Sequence, residues 1–346
     1  MWVVLSAAAL AFGLPGQLST SVALTDGTAQ LVGVILFYAV VSGAFDLFGG
    51  YFLPREYGRF TLPLGGFIGH WFRGALLHGV ALTLIGLALL TAARIGGFWL
   101  ALGVYLALNV LLIYAQLVLA RTLGGLRSRT NGDGVEVLGS PYPHLTGGVV
   151  GLGEGRLVVP ELWQETFSPD TLAVLLGRKQ GLIANGSRLG GLALAFGWNL
   201  AGFVLAYLGA GTLEHVAGLV SFSLWSTLWA FLGVLLLPTP SRWGVFAGDA
   251  LVTGEHERAL LADAVRKLDR DQDDEYSRAA GVETVFHPIP SAARRIDKLG
   301  KAAATRGTWH AARVALYLSW ANLSWLSRAV HCNIGRPEVW VLLPSD

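Results

Sequence analysis

Five long apolar runs constrain this chain more than any other feature. They cover residues 31–53, 74–93, 97–120, 190–209 and 216–237. Each is near the roughly 20 residues that an α-helix needs to cross a hydrocarbon layer of about 30 Å. Backbone N–H and C=O groups find no water in that layer, so such runs fold as helices, which satisfy those groups internally. Composition agrees: 53% of residues are hydrophobic, 14% are charged and mean hydropathy is +0.54, whereas soluble domains carry about 25% charged residues. The pattern predicts a mainly α, polytopic integral membrane protein with five or six transmembrane helices. The opening MWVVLSAAALAFGL lacks the basic n-region of a signal peptide. It is short for a full span at 1.5 Å per residue and is expected to form a short or partly embedded helix.

The runs divide the chain into an N-terminal membrane region (1–120), a polar segment (121–187), an apolar hairpin (188–238) and a second polar segment (239–346). Basic residues cluster on one side of this arrangement: Arg55, Arg59 and Arg73, then Arg121, Arg127, Arg129, Arg178, Lys179 and Arg188, then Arg242. The opposite loops hold Arg94 and the uncharged-to-acidic AGTLEH. Positive residues stay cytoplasmic, so both polar segments and the C-terminus are expected in the cytoplasm of a bacterium, as two halves of one domain on its inner membrane. Within 307–335, Val314, Leu316, Leu318, Trp320, Leu323, Trp325 and Leu326 alternate with Arg313, Arg328 and His331. This pattern predicts an amphipathic helix lying on or dipping into the membrane, with a sixth buried helix as the alternative. The tail EVWVLLP reads as a final extended strand.

The polar segments carry an ordered set of short motifs. GGVVGLGEGRLVVPELWQETFSPDTLAVLL, starting at Gly147, leads through IANGSR into the apolar hairpin. SRWGVFAGDALV and VFHPIPSAARRI follow it. In this order, over residues 147–296, they resemble the M48 family of membrane metallopeptidases: a strand, the approach to a zinc helix, a transmembrane hairpin, an Arg-x-x-Glu-x-x-Ala-Asp element and a His-Pro element followed by Arg-Ile. The resemblance implies a cytoplasmic α+β domain of that type. A zinc helix needs His-Glu-x-x-His, which places two imidazoles on one face and a general base between them. Here the aligned positions read Gly177, Arg178, Lys179, Gln180 and Gly181. The ligand positions become Gly177 and Gly181, the base becomes Arg178, and the third ligand falls on Val245, or on Ala247 if the register slips. Asp249, His287, Pro288 and Arg295 match peripheral family positions.

Glycine and valine offer no donor atoms, and Arg178 and Lys179 repel a dication. The eight histidines include no i, i+4 pair, and one cysteine, Cys332, permits no internal disulfide or cysteine zinc site. No metal, no cofactor and no catalysis are therefore expected. GRKQG itself reads as an ordinary helix with a solvated basic face. Its two glycines, each costing about 1 kcal/mol against alanine, suggest another chain's backbone packed on that face.

Other candidates are weaker. Asp46 and His78 lie near the same ends of the first two runs and form a candidate intramembrane pair, against the reading that both reach the headgroups. Asn109, Gln116 and Asn199 are isolated polar groups that suit helix–helix bonds. GGVVGLGEG lacks the lysine of a P-loop and reads as a flexible strand edge. DRDQDDE lacks the glycine of a calcium loop and reads as a solvated turn. His331 and Cys332 are adjacent and suit a structural role. Of the 12 tryptophans, Trp71, Trp99, Trp225, Trp229, Trp309, Trp320 and Trp325 suit an interfacial belt or contacts with partners, pigment or lipid.

With a net charge of +2, nucleic acid is not expected as a partner. The expected function is that of a pseudoprotease kept as a structural, accessory or assembly subunit of a larger membrane complex, respiratory or photosynthetic. The rivals are a quality-control adaptor that binds client peptides along the strand at 147–159 without cutting them, a metallopeptidase with a relocated metal, and a transporter.

Overall fold

A computed structural model describes the chain apart from residues 19–23, 59, 61, 131–133, 141–144, 146, 154, 273, 302–304, 330–334 and 342–346, and gives the backbone alone at 24–26 and 272. In chain order, α1 (Trp2–Ala11), α2 (Leu24–Leu47), α3 (Leu53–Glu56) and α4 (Leu64–Thr122) precede a small sheet of β1 (Arg127–Thr130), β2 (Glu136–Gly139), β3 (Gly148–Val150) and β4 (Arg156–Pro160). Then come α5 (Glu161–Thr166), α6 (Pro169–Ala184), α7 (Ser187–Ala210), α8 (Val216–Leu236), α9 (Pro238–Asp249), α10 (Glu255–Gln272), α11 (Ala280–Phe286), α12 (Ala292–Lys298) and α13 (Ala311–Leu318). The protein is mainly helical. Four helical stretches among the described residues are long and apolar enough to cross a membrane: Gly27–Glu56, Leu64–Thr122, Ser187–Ala210 and Val216–Leu236.

The chain forms two compact units. The first comprises Met1–Gly125, Phe196–Gly233 and Ala315–Val341; the second comprises Leu126–Ala195 and Val234–Val314.

In the first unit, α4 is broken at Gly96 and Gly97, where φ/ψ are −139/20° and 58/−147°. The second pair of angles is one that a side chain strongly disfavours. A continuous helix would place residues 73 and 125 roughly 78 Å apart (52 steps of 1.5 Å). Instead a Cβ on Gly125 would collide with the Arg73 guanidinium, so α4 folds back on itself. Between α2 and α3 a five-residue π turn, Phe48–Phe52, brings Gly50 against the backbone of Gly335, where an added Cβ would lie 2.9 Å from the Gly335 Cα. Gly202 and Gly209 of α7 make room for the rings of Trp229 and Trp225 of α8, and Trp198 stacks on Trp229 at 4.6 Å.

The C-terminal stretch differs from its expectation. Helix is confined to Ala311–Leu318, successive turns follow to Ala329, and Pro337–Val339 is a 3₁₀ turn. The segment is neither a membrane-surface helix nor a sixth span: Leu318, Trp320, Ala321, Trp340 and Val341 are all fully buried. The expected final strand is absent as far as Val341, and the rest of the tail lies outside the described residues. Side chains of the long helices satisfy this irregular backbone. Gln116 Nε2 donates to Val341 O at 2.7 Å, Tyr317 Oη to Leu112 O at 2.7 Å and Asn199 Nδ2 to Ala315 O at 2.9 Å. Ser223 Oγ donates to Leu323 O at 2.6 Å, and Trp325 N to Thr227 Oγ1 at 2.9 Å. Non-helical backbone at membrane depth is tolerated only when protein buries and pairs it in this way.

The second unit sets the four-stranded sheet, in the order β1-β2-β4-β3, beside helices. β2 and β4 are parallel; β1 and β3 flank them antiparallel. Ser168 caps α6, its Oγ accepting from Thr171 N at 3.2 Å, with Pro169 and Asp170 in the first turn. The sequence FSPDT thus supplies a side-chain cap, a preset φ and a charge matched to the helix dipole. Leu175, on α6, buries with Trp163, Phe167, Leu261 and Val265. DRDQDDE begins as the last turn of α10, which runs to Gln272, rather than as a loop.

Candidate functional site

In the second unit, three elements meet at residues that the sequence analysis singled out. Arg178 lies on α6, Val245 and Asp249 on α9, and Arg295 on α12. Arg178 Nε donates to Asp249 Oδ1 at 2.7 Å, and its Nη2 donates to Val245 O at 3.1 Å. Arg295 grips the same carboxylate with two donors, Nε to Oδ2 at 2.9 Å and Nη2 to Oδ1 at 2.8 Å. The side chains of Arg178, Asp249 and Arg295 are 1%, 4% and 5% exposed. Two-pronged guanidinium–carboxylate bonds of this kind are short, charge-assisted and geometrically exacting. Gly248 allows the approach, since a Cβ there would stand 3.1 Å from Arg178 Nη2 and 2.9 Å from a Leu182 methyl.

This geometry corrects the solvated-face reading of GRKQG. Arg178 and Lys179 are buried, and Lys179 Nζ lies 5.5 Å from the Trp163 ring centroid. Gly177 is exposed, with open space where its Cβ would be, and Gly181 faces Leu251 of its own chain. Val245 is fully buried and contributes only its carbonyl, and Ala247, the slipped alternative, is buried too. Among the described residues, no three His, Cys, Asp or Glu side chains come close enough to share a metal ion. His287 and Pro288 follow α11, where Arg242 gathers the chain: its Nη1 donates to the carbonyls of Glu283 at 2.5 Å, Thr284 at 2.8 Å and His287 at 3.1 Å. Burial pulls the Arg242 guanidinium below its usual range, and nearby Glu283 opposes that shift. Arg294 Nη1 pairs with the fully buried Glu283 at 2.8 Å.

The glycine-rich edge strand is not open. All three residues of β3 are buried, and Val149 packs with Leu157, Leu182, Val245 and Trp309. Arg188 closes the turn beyond it, donating to Gly153 O at 2.9 Å and to Gly151 O.

A second buried charge cluster lies in the first unit, and it corrects the Asp46–His78 pair. Asp46 is bound by Arg328, Nη1 to Oδ2 at 2.9 Å, and by Trp71 Nε1 at 2.9 Å. Arg328 also donates from Nε to Tyr38 Oη at 2.9 Å, which in turn donates to Trp325 O at 3.2 Å. The guanidinium lies 4.2 Å from the centroid of Trp340, a cation–π distance. His78 instead meets the edge of Trp320 at 4.4 Å and lies 5.7 Å from Trp340. It makes no pair with Asp46, and its Nε2 makes no hydrogen bond. Trp309 and Trp320, assigned to an interfacial belt, are core residues, whereas Trp99 is 77% exposed. His331 and Cys332 lie outside the described residues.

Glu338 completes this part of the first unit. Its backbone packs on Gly124, just past the end of α4, and an added Cβ there would stand 2.9 Å from Glu338 Cα. The carboxyl group is buried without a hydrogen bond to either oxygen. Burial pushes it up to about 8, with Arg336 and Arg73 opposing.

Sequence reasoning reached Arg178, Val245, Asp249 and Arg295 but not the partnership of Asp46 with Arg328, nor Tyr38 and Trp340 around it. One signal was present: an arginine in an otherwise apolar stretch calls for a buried anion. Compared with known proteins, the chain matches no family model and no curated protein.

Proposed function

We propose that this chain is a non-catalytic membrane protein, a pseudoprotease-like subunit that serves structure or assembly in a larger bacterial membrane complex. The observation that carries this reading is the Arg178–Asp249–Arg295 cluster. It joins Arg178, which takes the place of the general base in the resemblance, to Asp249 and Arg295 at peripheral positions of it, and its one carboxylate is occupied by two guanidiniums. A dication brought there would meet positive charge and donor-free glycine and valine. On this reading the second unit is M48-like and keeps the shape of an enzyme domain while an ion cluster does the work of holding α6, α9 and α12 together.

The break at Gly96–Gly97 divides α4 into two crossings, which with the other three apolar helices makes five spans. The distribution of arginine favours cytoplasmic placement of the polar segments, on the inner membrane. The burial of β3 favours this reading over a client-binding adaptor that would use that edge.

Gentle extraction of the tagged protein from its native membranes, followed by native electrophoresis and mass spectrometry, tests the proposal. Stoichiometric recovery with one defined complex is expected. A lone protein, or a shifting set of substoichiometric clients, overturns the subunit reading. Metal analysis of the same sample tests the absence of catalysis separately, since a relocated zinc centre would hold about one metal ion per chain.

A further inference from the structure

This inference rests on reading α8 as bilayer-spanning. α8 ends at Leu236, and α9 begins at Pro238. Leu237 between them keeps right-handed helical angles, φ/ψ −77/−16°, so the chain leaves α8 without reversing. Proline suits the first helical position, where its missing N–H has no partner to lose. Ser241 N then donates to Leu237 O at 3.1 Å, and Ser241 Oγ to the same carbonyl at 2.8 Å. Leu236 and Trp243, seven positions or about two turns apart, therefore share one side of the helix.

The opposite side of α9 is packed. Ser241, Arg242, Val245, Gly248 and Asp249 are buried, with Arg242 bound to the α11 carbonyls and Asp249 held in the ion cluster. Trp243 is the one exposed residue of α9, at 63%. Leu236 and Leu189, on the ends of α8 and α7 that belong to the second unit, are 58% and 61% exposed. On the membrane reading these leucines meet hydrocarbon. One turn past Trp243 the apolar side closes: Phe246 is partly buried, and Lys298 Nζ lies 3.9 Å from its ring centroid. The exposed apolar side thus runs from Leu236 to Trp243 and stops.

That length matches the depth of a lipid surface. At 1.5 Å per residue, the Trp243 Cα stands about 10 Å beyond that of Leu236. Headgroups occupy about 5–8 Å on each side of the hydrocarbon. Helical side chains tilt toward the N-terminus, here back toward α8, which returns the indole to headgroup depth. Tryptophan is enriched at that level because its ring is apolar and its N–H is polar. A partner helix following α8 outward would call for apolar surface beyond Trp243, and Lys298 stands there instead. We propose that Trp243 docks the second unit on the membrane, its ring inserted among phospholipid headgroups. The indole then anchors α9 where it leaves the bilayer.

Fluorescence of the full-length protein in phosphatidylcholine nanodiscs tests this. The emission lost on Trp243→Phe is that of Trp243. Bromine placed near the glycerol end of the acyl chains should quench this component more than bromine near the chain ends. Stronger quenching from the chain ends, or none from either lipid, would overturn the proposal. Leu236→Trp in the Trp243→Phe background separates it from the membrane reading, since a tryptophan at 236 should be quenched by brominated lipid. Quenching there with none at Trp243 overturns the headgroup contact alone. No quenching at either position overturns both. Should Trp243→Phe not fold, Trp243→Tyr supplies the same difference.

Discussion

Arg328 and Asp46 are 282 positions apart in sequence and 2.9 Å apart in space, with side chains 4% and 2% exposed. The pair ties the C-terminal turns to α2 in the buried interior of the first unit. Removing one member of such a pair strands the other charge. Asp46→Ala should therefore destabilise the protein by about 3–5 kcal/mol, whereas Asp46→Leu combined with Arg328→Met should cost much less. Thermal unfolding in detergent compares the two, and an equal loss in the double variant would overturn the stranded-charge argument.

The Arg178–Asp249–Arg295 cluster makes the same prediction for the second unit, with a larger asymmetry. Asp249→Ala leaves two buried guanidiniums facing each other and should cost about 3–5 kcal/mol. The triple replacement Arg178→Met, Asp249→Leu and Arg295→Met should be near neutral or stabilising by about 1–4 kcal/mol. Chemical denaturation of the three single variants and the triple variant decides it. A triple variant as weak as Asp249→Ala would show that the cluster does more than replace apolar packing.

Gly177 offers a test of the partner. Its Cβ direction is open in the isolated chain, so Gly177→Ala should stabilise α6 by about 1 kcal/mol through helix propensity alone. If a neighbouring chain packs on this face, Gly177→Leu should keep the stability of the purified protein and lose its co-purifying complex. Unchanged recovery of the complex with Gly177→Leu places the partner elsewhere.

Glu338 gives a pH dependence with a definite sign. Its carboxyl is held near 8 in the folded protein, against an unfolded value of about 4.3. The folded state therefore binds the proton more tightly. This contribution to stability is complete below the unfolded value and is lost as pH rises through about 8. Glu338→Gln, neutral throughout, should melt at nearly the same temperature as the natural chain at about pH 3.5, below the unfolded value, and above it at about pH 8.5. Parallel melting curves across that range would refute the burial argument.

The long helices were legible because a span needs little more than apolar length, and the break in α4 fell at Gly96 and Gly97, where residues 94–96 separate two runs. The residues of the second-unit cluster were legible through an ordered resemblance, although their conversion from a solvated face to a buried ion network was not. Arg178 looks the same in sequence whether it meets water or Asp249. The stretch after Leu318 was misread for a physical reason. Its apolar residues suit a helix, but its structure is dictated by distant partners: Asn199, Ser223, Thr227 and Gln116 supply bonds that helical periodicity would have made locally. Asp46 and His78 were paired on depth alone, and the arginine that takes the carboxylate lies in the part of the chain whose shape was not readable.

The burial of residues 315–341 within the first unit also has a consequence in time. A ribosome completes this segment after every long helix has been made. About 190 residues separate the end of α4 from Ala315, which at about 5–20 residues per second is a delay of roughly 10–40 s. During that interval Gln116 cannot reach Val341, nor Asp46 reach Arg328. The early helices form with these polar groups still waiting, and residues 315–341 close them. Completion of the first unit's core therefore waits on residues 315–341, and a product that lacks them leaves Asp46 and Gln116 without these partners.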